Sequence, residues 1–95
     1  MADLDAHLQA PARLKLVTML TAVSEAEFAV VRDRLDVSDS VLSKHLSALG
    51  EVGYVRVRKG VHRGRRTTWV SLSARGHEAV GAHVAALRAL IADVP

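Results

Sequence analysis

The most constraining feature of this chain is an abrupt change of hydrophobic period at Gly53. Before it, Leu42, Leu46, Leu49 and Val52 recur at helical spacing and form one narrow apolar stripe. After it, Val55 and Val57 alternate with Arg56 and Arg58, the period-two pattern of a half-buried strand. Both ends of the helix are punctuated. Ser38 is an N-cap residue followed by Asp39 at the positive helix end, and Val37 with Leu42 makes a hydrophobic staple. Gly53 suits the left-handed residue past the helix end, with Tyr54 packing back on Leu49. The face opposite the stripe carries Ser40, Ser43, Lys44, Ser47 and Glu51. Short hydroxyls let a helix approach another surface closely while still offering hydrogen bonds, as a helix in the DNA major groove must.

The segments before this helix read as three pieces. Residues 3–10 predict a short helical arm with Leu4 and Leu8 on one side. Pro11 opens a helix to about Thr21 whose Leu14, Leu16, Val17, Met19 and Leu20 spread around much of its circumference. Ser24-Glu25-Ala26-Glu27 has the form of a capping box, with Val23 and Phe28 as its staple and a helix running on to about Leu35. Two short helices joined by about three residues are the spacing of a helix-turn-helix.

Beyond Gly53, YVRVRK and TTWVSL read as two strands, with the two glycines of KGVHRGRR at the turn between them. A hairpin symmetric about residues 61–64 places Arg56 across from Trp69, in range of a cation–π contact. Ser73 then caps a helix from Ala74 to about Ala92. Its Val80, Val84, Leu87, Ile91 and Val94 form a stripe near heptad spacing, with alanines beside it. Helix, helix and basic hairpin make a winged helix-turn-helix. The expected fold is therefore α+β and mainly helical, a single domain over residues 1–95. The helix-turn-helix spans about 24–52, a two-stranded β-hairpin wing about 54–72, and a C-terminal dimerisation helix about 74–92.

Charge is distributed in the same direction. Residues 1–53 hold five Lys or Arg against eight Asp or Glu, whereas residues 54–72 hold six basic residues and no acid. That local patch points to a polyanionic partner, double-stranded DNA. The candidate contacts are Ser40, Ser43, Lys44, His45 and Ser47 on the helix. On the wing they are Arg58, Lys59, His62, Arg63, Arg65 and Arg66, placed for phosphates or an A·T-rich minor groove. Surplus apolar surface on the first and last helices predicts a homodimer through Leu14, Val17, Val80, Val84, Leu87, Leu90 and Ile91.

With no Cys, disulfides and thiolate metal sites are excluded. The five His lack metal-ligand spacing, since His77 and His83 are six apart, so no metal and no cofactor is expected. No nucleophile–base pattern or phosphate-binding Gly loop is visible, so an enzyme is not expected. The N-terminus has no signal-peptide character and no apolar run approaches a membrane span, so the expected location is the cytoplasm, away from membranes.

The segments PARLKLVTML, LDVSDSVLSKHLSALGEVGYVRVRKG and GRRTTWVSLSARGHEA together resemble the short winged-helix regulators of the MarR/ArsR superfamily. The resemblance implies a sequence-specific transcriptional regulator that binds a pseudo-palindromic operator as a homodimer and represses. Two alternatives stand beside it: a sensor whose dimer-interface small-molecule effector releases DNA, and a protein- or RNA-interaction module on the same scaffold.

Overall fold

The structure, a computed structural model, describes residues 3–95. A single 3₁₀ turn at Ala6–Leu8 precedes α1 (Pro11–Thr21). A two-residue strand β1 (Ala26–Glu27), α2 (Phe28–Leu35) and α3 (Asp39–Glu51) follow, then β2 (Val55–His62), β3 (Arg65–Leu72) and α4 (Ala74–Ala92). The architecture is the expected winged helix-turn-helix, α+β and mainly helical. The three-stranded antiparallel sheet has order β1-β3-β2, one strand more than the hairpin alone.

The ends of α3 follow local rules. Ser38 Oγ accepts from the Val41 amide at 3.2 Å. At the other end Gly53 has φ +78°, its amide donates to the Gly50 carbonyl at 3.0 Å, and Tyr54 donates to the Leu49 carbonyl at 2.9 Å. This pair of bonds is a Schellman motif, available because glycine takes positive φ without a Cβ clash. Leu42, Leu46 and Leu49 enter the core, which also takes Leu16, Val17 and Leu20 from α1 and Val70 from β3. Fully burying each such side chain contributes about 1.5–3 kcal/mol.

The start of α2 differs from the sequence reading. Ser24 does not cap it: the helix begins at Phe28 with Glu27 as N-cap and no side-chain cap bond. Ala26 and Glu27 instead pair with Val70 and Trp69 of β3. Ladder bonds to a distant strand thus replace the local box, and Glu25 turns toward the wing. The N-terminal arm is also shorter than expected, although Leu8 is fully buried.

The hairpin is shifted by two residues from the expected register. His62 pairs with Arg65, so the turn is Arg63-Gly64, with φ values of +51° and +77°. That is the geometry of a two-residue type I′ turn, which matches strand twist. Arg58, not Arg56, therefore lies opposite Trp69, with Cζ 5.7 Å from the ring centroid. Only one of the two glycines serves the turn. Gly60 lies within β2, where an added Cβ would stand 2.7 Å from an Arg58 guanidinium nitrogen and 3.4 Å from Trp69 Nε1. Gly60 thus leaves room for that cation–π pair. Val55 is buried as expected, but Val57 is 51% exposed.

Two expected dimer residues, Val17 and Val80, are used inside the single chain: Val17 is fully buried and Val80 nearly so. A side chain that the monomer's own core encloses has no surface left for a partner. Leu14, Val84 and Leu87 are half-buried, whereas Leu90 and Ile91 are exposed.

Where β3 meets α4, Ser73 Oγ accepts from the Gly76 amide and donates to the Gly53 carbonyl. Gly76 is packed so closely that a Cβ would collide with the Tyr54 carbonyl oxygen and the Leu72 side chain. Gly81, five residues on, faces open space. Gly76→Ala should therefore cost about 1–3 kcal/mol by overpacking. Gly81→Ala should raise stability by about 0.5–1 kcal/mol through helix propensity. Urea denaturation of the two variants checks the opposite signs.

Candidate nucleic-acid interface

The outer face of α3 presents Ser40, Ser43, Lys44 and Ser47, all exposed. Ser40 Oγ lies 3.1 Å from Ser38 Oγ, and the other three make no side-chain hydrogen bond or ion pair among the described residues. Between α3 and the wing runs a groove of about 510 Å³ lined by Asp39, Ser43, Leu46, Ser47, Phe28, Val57, Lys59 and Thr68. The exposed Val57 is part of its apolar floor. Asp39 is the acid in this lining, and Arg32 of α2 covers it through an ion pair of 2.9 Å while also bonding Asp33. Together these contacts hold the guanidinium's pKa above its usual value. Sequence reasoning missed Arg32, since nothing local signals a pairing across the turn.

Strand alternation divides the wing cations between two faces. Lys59 lines the groove, and cross-strand pairing puts Val61 and Arg66 on the same face. Neither Lys59 nor Arg66 has a carboxylate partner among the described residues. Arg63 stands at the exposed tip. Arg56, Arg58, His62 and Arg65 lie on the opposite face. There Arg58 makes a bidentate bond to Glu25, at 2.7 and 3.0 Å. That bond, outweighing a smaller effect of burial, holds the Glu25 carboxyl below its usual value. His62 Nε2 is 3.6 Å from Glu27, and its ring meets Trp69 edge-on at 5.5 Å. Read along the chain, the wing has no acid. In the fold, Glu25 just before β1 and Glu27 within it bring two. Arg58 and His62 are thus engaged with the protein itself, whereas Arg56 and Arg65 on the same face make no ion pair among the described residues; neither do Lys59 and Arg66 on the groove-side face, Lys44 on α3 or Arg63 at the tip.

His45 is not on the outer face either. It is half-buried on the flank of α3, where Nδ1 accepts from Arg13 Nε of α1 at 3.1 Å. Burial, with the adjacent guanidinium charge, lowers its pKa from the ordinary 6.5.

A polar cluster also missed in the sequence ties the N-terminal segment down. Tyr54 Oη donates to Asp5, the His7 amide donates to Asp5 Oδ1 at 2.8 Å, and the Asp5 amide donates to buried His83 Nδ1 at 2.9 Å. Burial alone would raise the Asp5 pKa, but the Tyr54 and His7 bonds outweigh it and hold the carboxyl low. His7, His77 and His83 do not converge: among the described residues no three His, Asp or Glu side chains form a metal-binding group. No described helix is long and apolar enough to cross a membrane.

Known proteins share this arrangement. Residues 12–91 match the family model described as "Winged helix DNA-binding domain". An uncharacterized protein of Methanocaldococcus jannaschii is 31% identical over 67 residues, 70% of this chain and 73% of that protein. A transcriptional regulator homologue from Pyrococcus horikoshii OT3 superimposes with a TM-score of 0.84 at 28% identity, covering 93% of this chain and 89% of the other. A zinc-responsive MarR family member from Lactococcus lactis, ZitR, gives 0.63 at 18% identity. That match covers 86% of this chain and 56% of ZitR, and at this identity it is a likeness of fold.

The His45 contact has a pH consequence. The Arg13 bond needs an unprotonated Nδ1, so the folded state favours neutral imidazole. A depressed folded pKa contributes stability that is present above 6.5 and lost as pH falls through the folded value. Titration of the His45 ring by NMR should give a midpoint below 6.5, and Arg13→Ala should move it upward.

Proposed function

Because the chain belongs to the winged helix DNA-binding domain family, we propose that it is a sequence-specific transcriptional repressor. In this reading it binds a pseudo-palindromic operator as a homodimer. The observation that carries the DNA-binding surface is the sorting of charge. Lys59 lines the groove beside α3, Arg66 shares its sheet face and Lys44 is exposed on α3, all three without an acid partner among the described residues, whereas Arg58 and His62 on the far side are engaged by acids. Helix α3 enters the major groove, with Ser40, Ser43, Lys44 and Ser47 toward base edges. Lys59, Arg63 and Arg66 meet the phosphates beside it.

The dimer is read from the distal half of α4. Leu90 and Ile91 are 58% and 66% exposed, Leu87 and Val84 of the same helix are half-buried, and so is Leu14 of α1. An apolar surface of this kind is rare on a soluble monomer. A two-fold contact there covers both copies and presents two α3 helices to half-sites roughly 34 Å apart.

Replacing Lys59 and Arg66 with Ala should flatten the log K versus log salt slope by about two units per protomer, equally on all duplex sequences. Arg58→Ala should leave the slope unchanged. Lys44→Ala with Ser43→Ala should instead reduce binding to a selected site more than to random DNA. Fluorescence-anisotropy titrations over a salt series read all three, and an Arg58 effect as large as that of Lys59 and Arg66 would sink this assignment.

The double variant Leu90→Glu/Ile91→Glu should sediment as a folded monomer, because both side chains are already exposed in the single chain. Its affinity for a two-half-site duplex should fall toward that for one half-site. A wild-type chain that sediments as a monomer at micromolar concentration, yet binds two half-sites tightly, would overturn the dimer.

A further inference from the structure

The groove-side contacts described above serve only one flank of α3. At about 100° per residue, Ser43 faces the wing, while Val41, His45 and Ala48 lie on the opposite flank. On that flank α1 contributes Arg13. It makes no ion pair among the described residues, and its side-chain partner, the His45 imidazole, is held toward its neutral form. Arg13 also stands in the first turn of α1, where the helix amides already make the local potential positive. Among the described residues no carboxylate balances this charge. The His45 bond occupies Nε and leaves the two terminal amino groups, the fork that matches a phosphate.

A helix lying in a major groove about 12 Å wide has a phosphate backbone on each side of it. Lys59 and Arg66 meet one. The proposed function leaves the other without a contact. We propose that Arg13 grips the phosphate backbone on the flank of α3 opposite the wing, with His45 as the positioning residue that aims it. This rests on the DNA-binding reading above, and makes the interface a two-sided clamp on α3.

The test uses the full chain on a short random-sequence duplex, where only backbone contacts contribute. Arg13→Gln should lower the magnitude of the salt slope by about 0.9 per protomer. Arg13→Lys, which keeps the charge and loses the fork, should retain the wild-type slope. A wild-type slope in Arg13→Gln, even with a lowered melting temperature, would show a purely structural role and overturn the proposal. An equal loss of slope in Arg13→Lys would overturn it as well. Should Arg13→Gln fail to fold, phosphate-ethylation interference with the wild-type protein on a selected site decides. Interference on both sides of the groove segment bound by α3 is expected, and interference confined to the wing side refutes the clamp. Wild-type protein that binds no duplex would sink the regulator reading itself, and this inference with it, so the two failures are distinct.

Discussion

One small polar junction holds the four elements that matter for the interface. Gly53 and Tyr54 end α3 and begin β2; Ser73 and Gly76 end β3 and begin α4. Ser73 binds this junction three times: its amide to the Tyr54 carbonyl, its hydroxyl to the Gly53 carbonyl, and its oxygen to the Gly76 amide. Each bond contributes only about 1 kcal/mol net, but an unsatisfied buried partner would cost more. Among the described residues no buried side-chain polar atom lacks a partner. The direction of α3, the root of the wing and the axis of α4 are therefore not independent variables. Tyr54 extends the same junction to Asp5, and Asp5 to His83, so the N-terminal segment is fastened to both the end of α3 and the side of α4.

What was legible in the sequence is what local chemistry decides. Ser38, Gly53, Ser73 and Pro11 punctuate the helices as their residue types require, and the change of period at Gly53 gave the wing. The errors share a different origin. Ser24 looks like a cap because the competing partner for Ala26 and Glu27 is a strand more than forty residues away. The hairpin register moved by two because Arg63, a non-glycine residue, takes a left-handed conformation in the turn. A shift of two keeps each side chain on its face, so the split between groove and far side survives, whereas a shift of one would have inverted it. Apolar stripes on α1 and α4 showed that both helices bury surface. They did not show that Val17 and Val80 bury it within one chain.

The same distinction governs the candidate site. A run of six cations reads as one patch, yet a strand sends alternate residues to opposite faces. The two acids that answer Arg58 and His62 are Glu25, just before β1, and Glu27 within it, and β1 is a strand too short to recognise without its partner. On the groove-side face the set is smaller than the sequence charge implies: Lys59 borders the groove and Arg66 shares its sheet face. Arg13 and Arg32 carry the converse lesson. Each lies in a helix of ordinary composition, and only packing against α3 gives it a task.

The chemistry of the α3 face explains why so much of the fold is spent on fixing that helix. Serine hydroxyls donate or accept with any base pair and carry little discrimination singly. What they provide is closeness, because nothing long separates the helix from the groove floor. Closeness becomes specificity only if the helix is held at one depth and one angle, so that each hydroxyl meets one base edge and no other. A flexible docking would let the same serines accommodate many sequences. The wing on one flank, α1 on the other and the Ser73 junction at the C-terminal end restrain α3 from three directions. If α3 reads bases as proposed, the reading is delegated to geometry, and the side chains that establish the geometry lie mostly outside that helix.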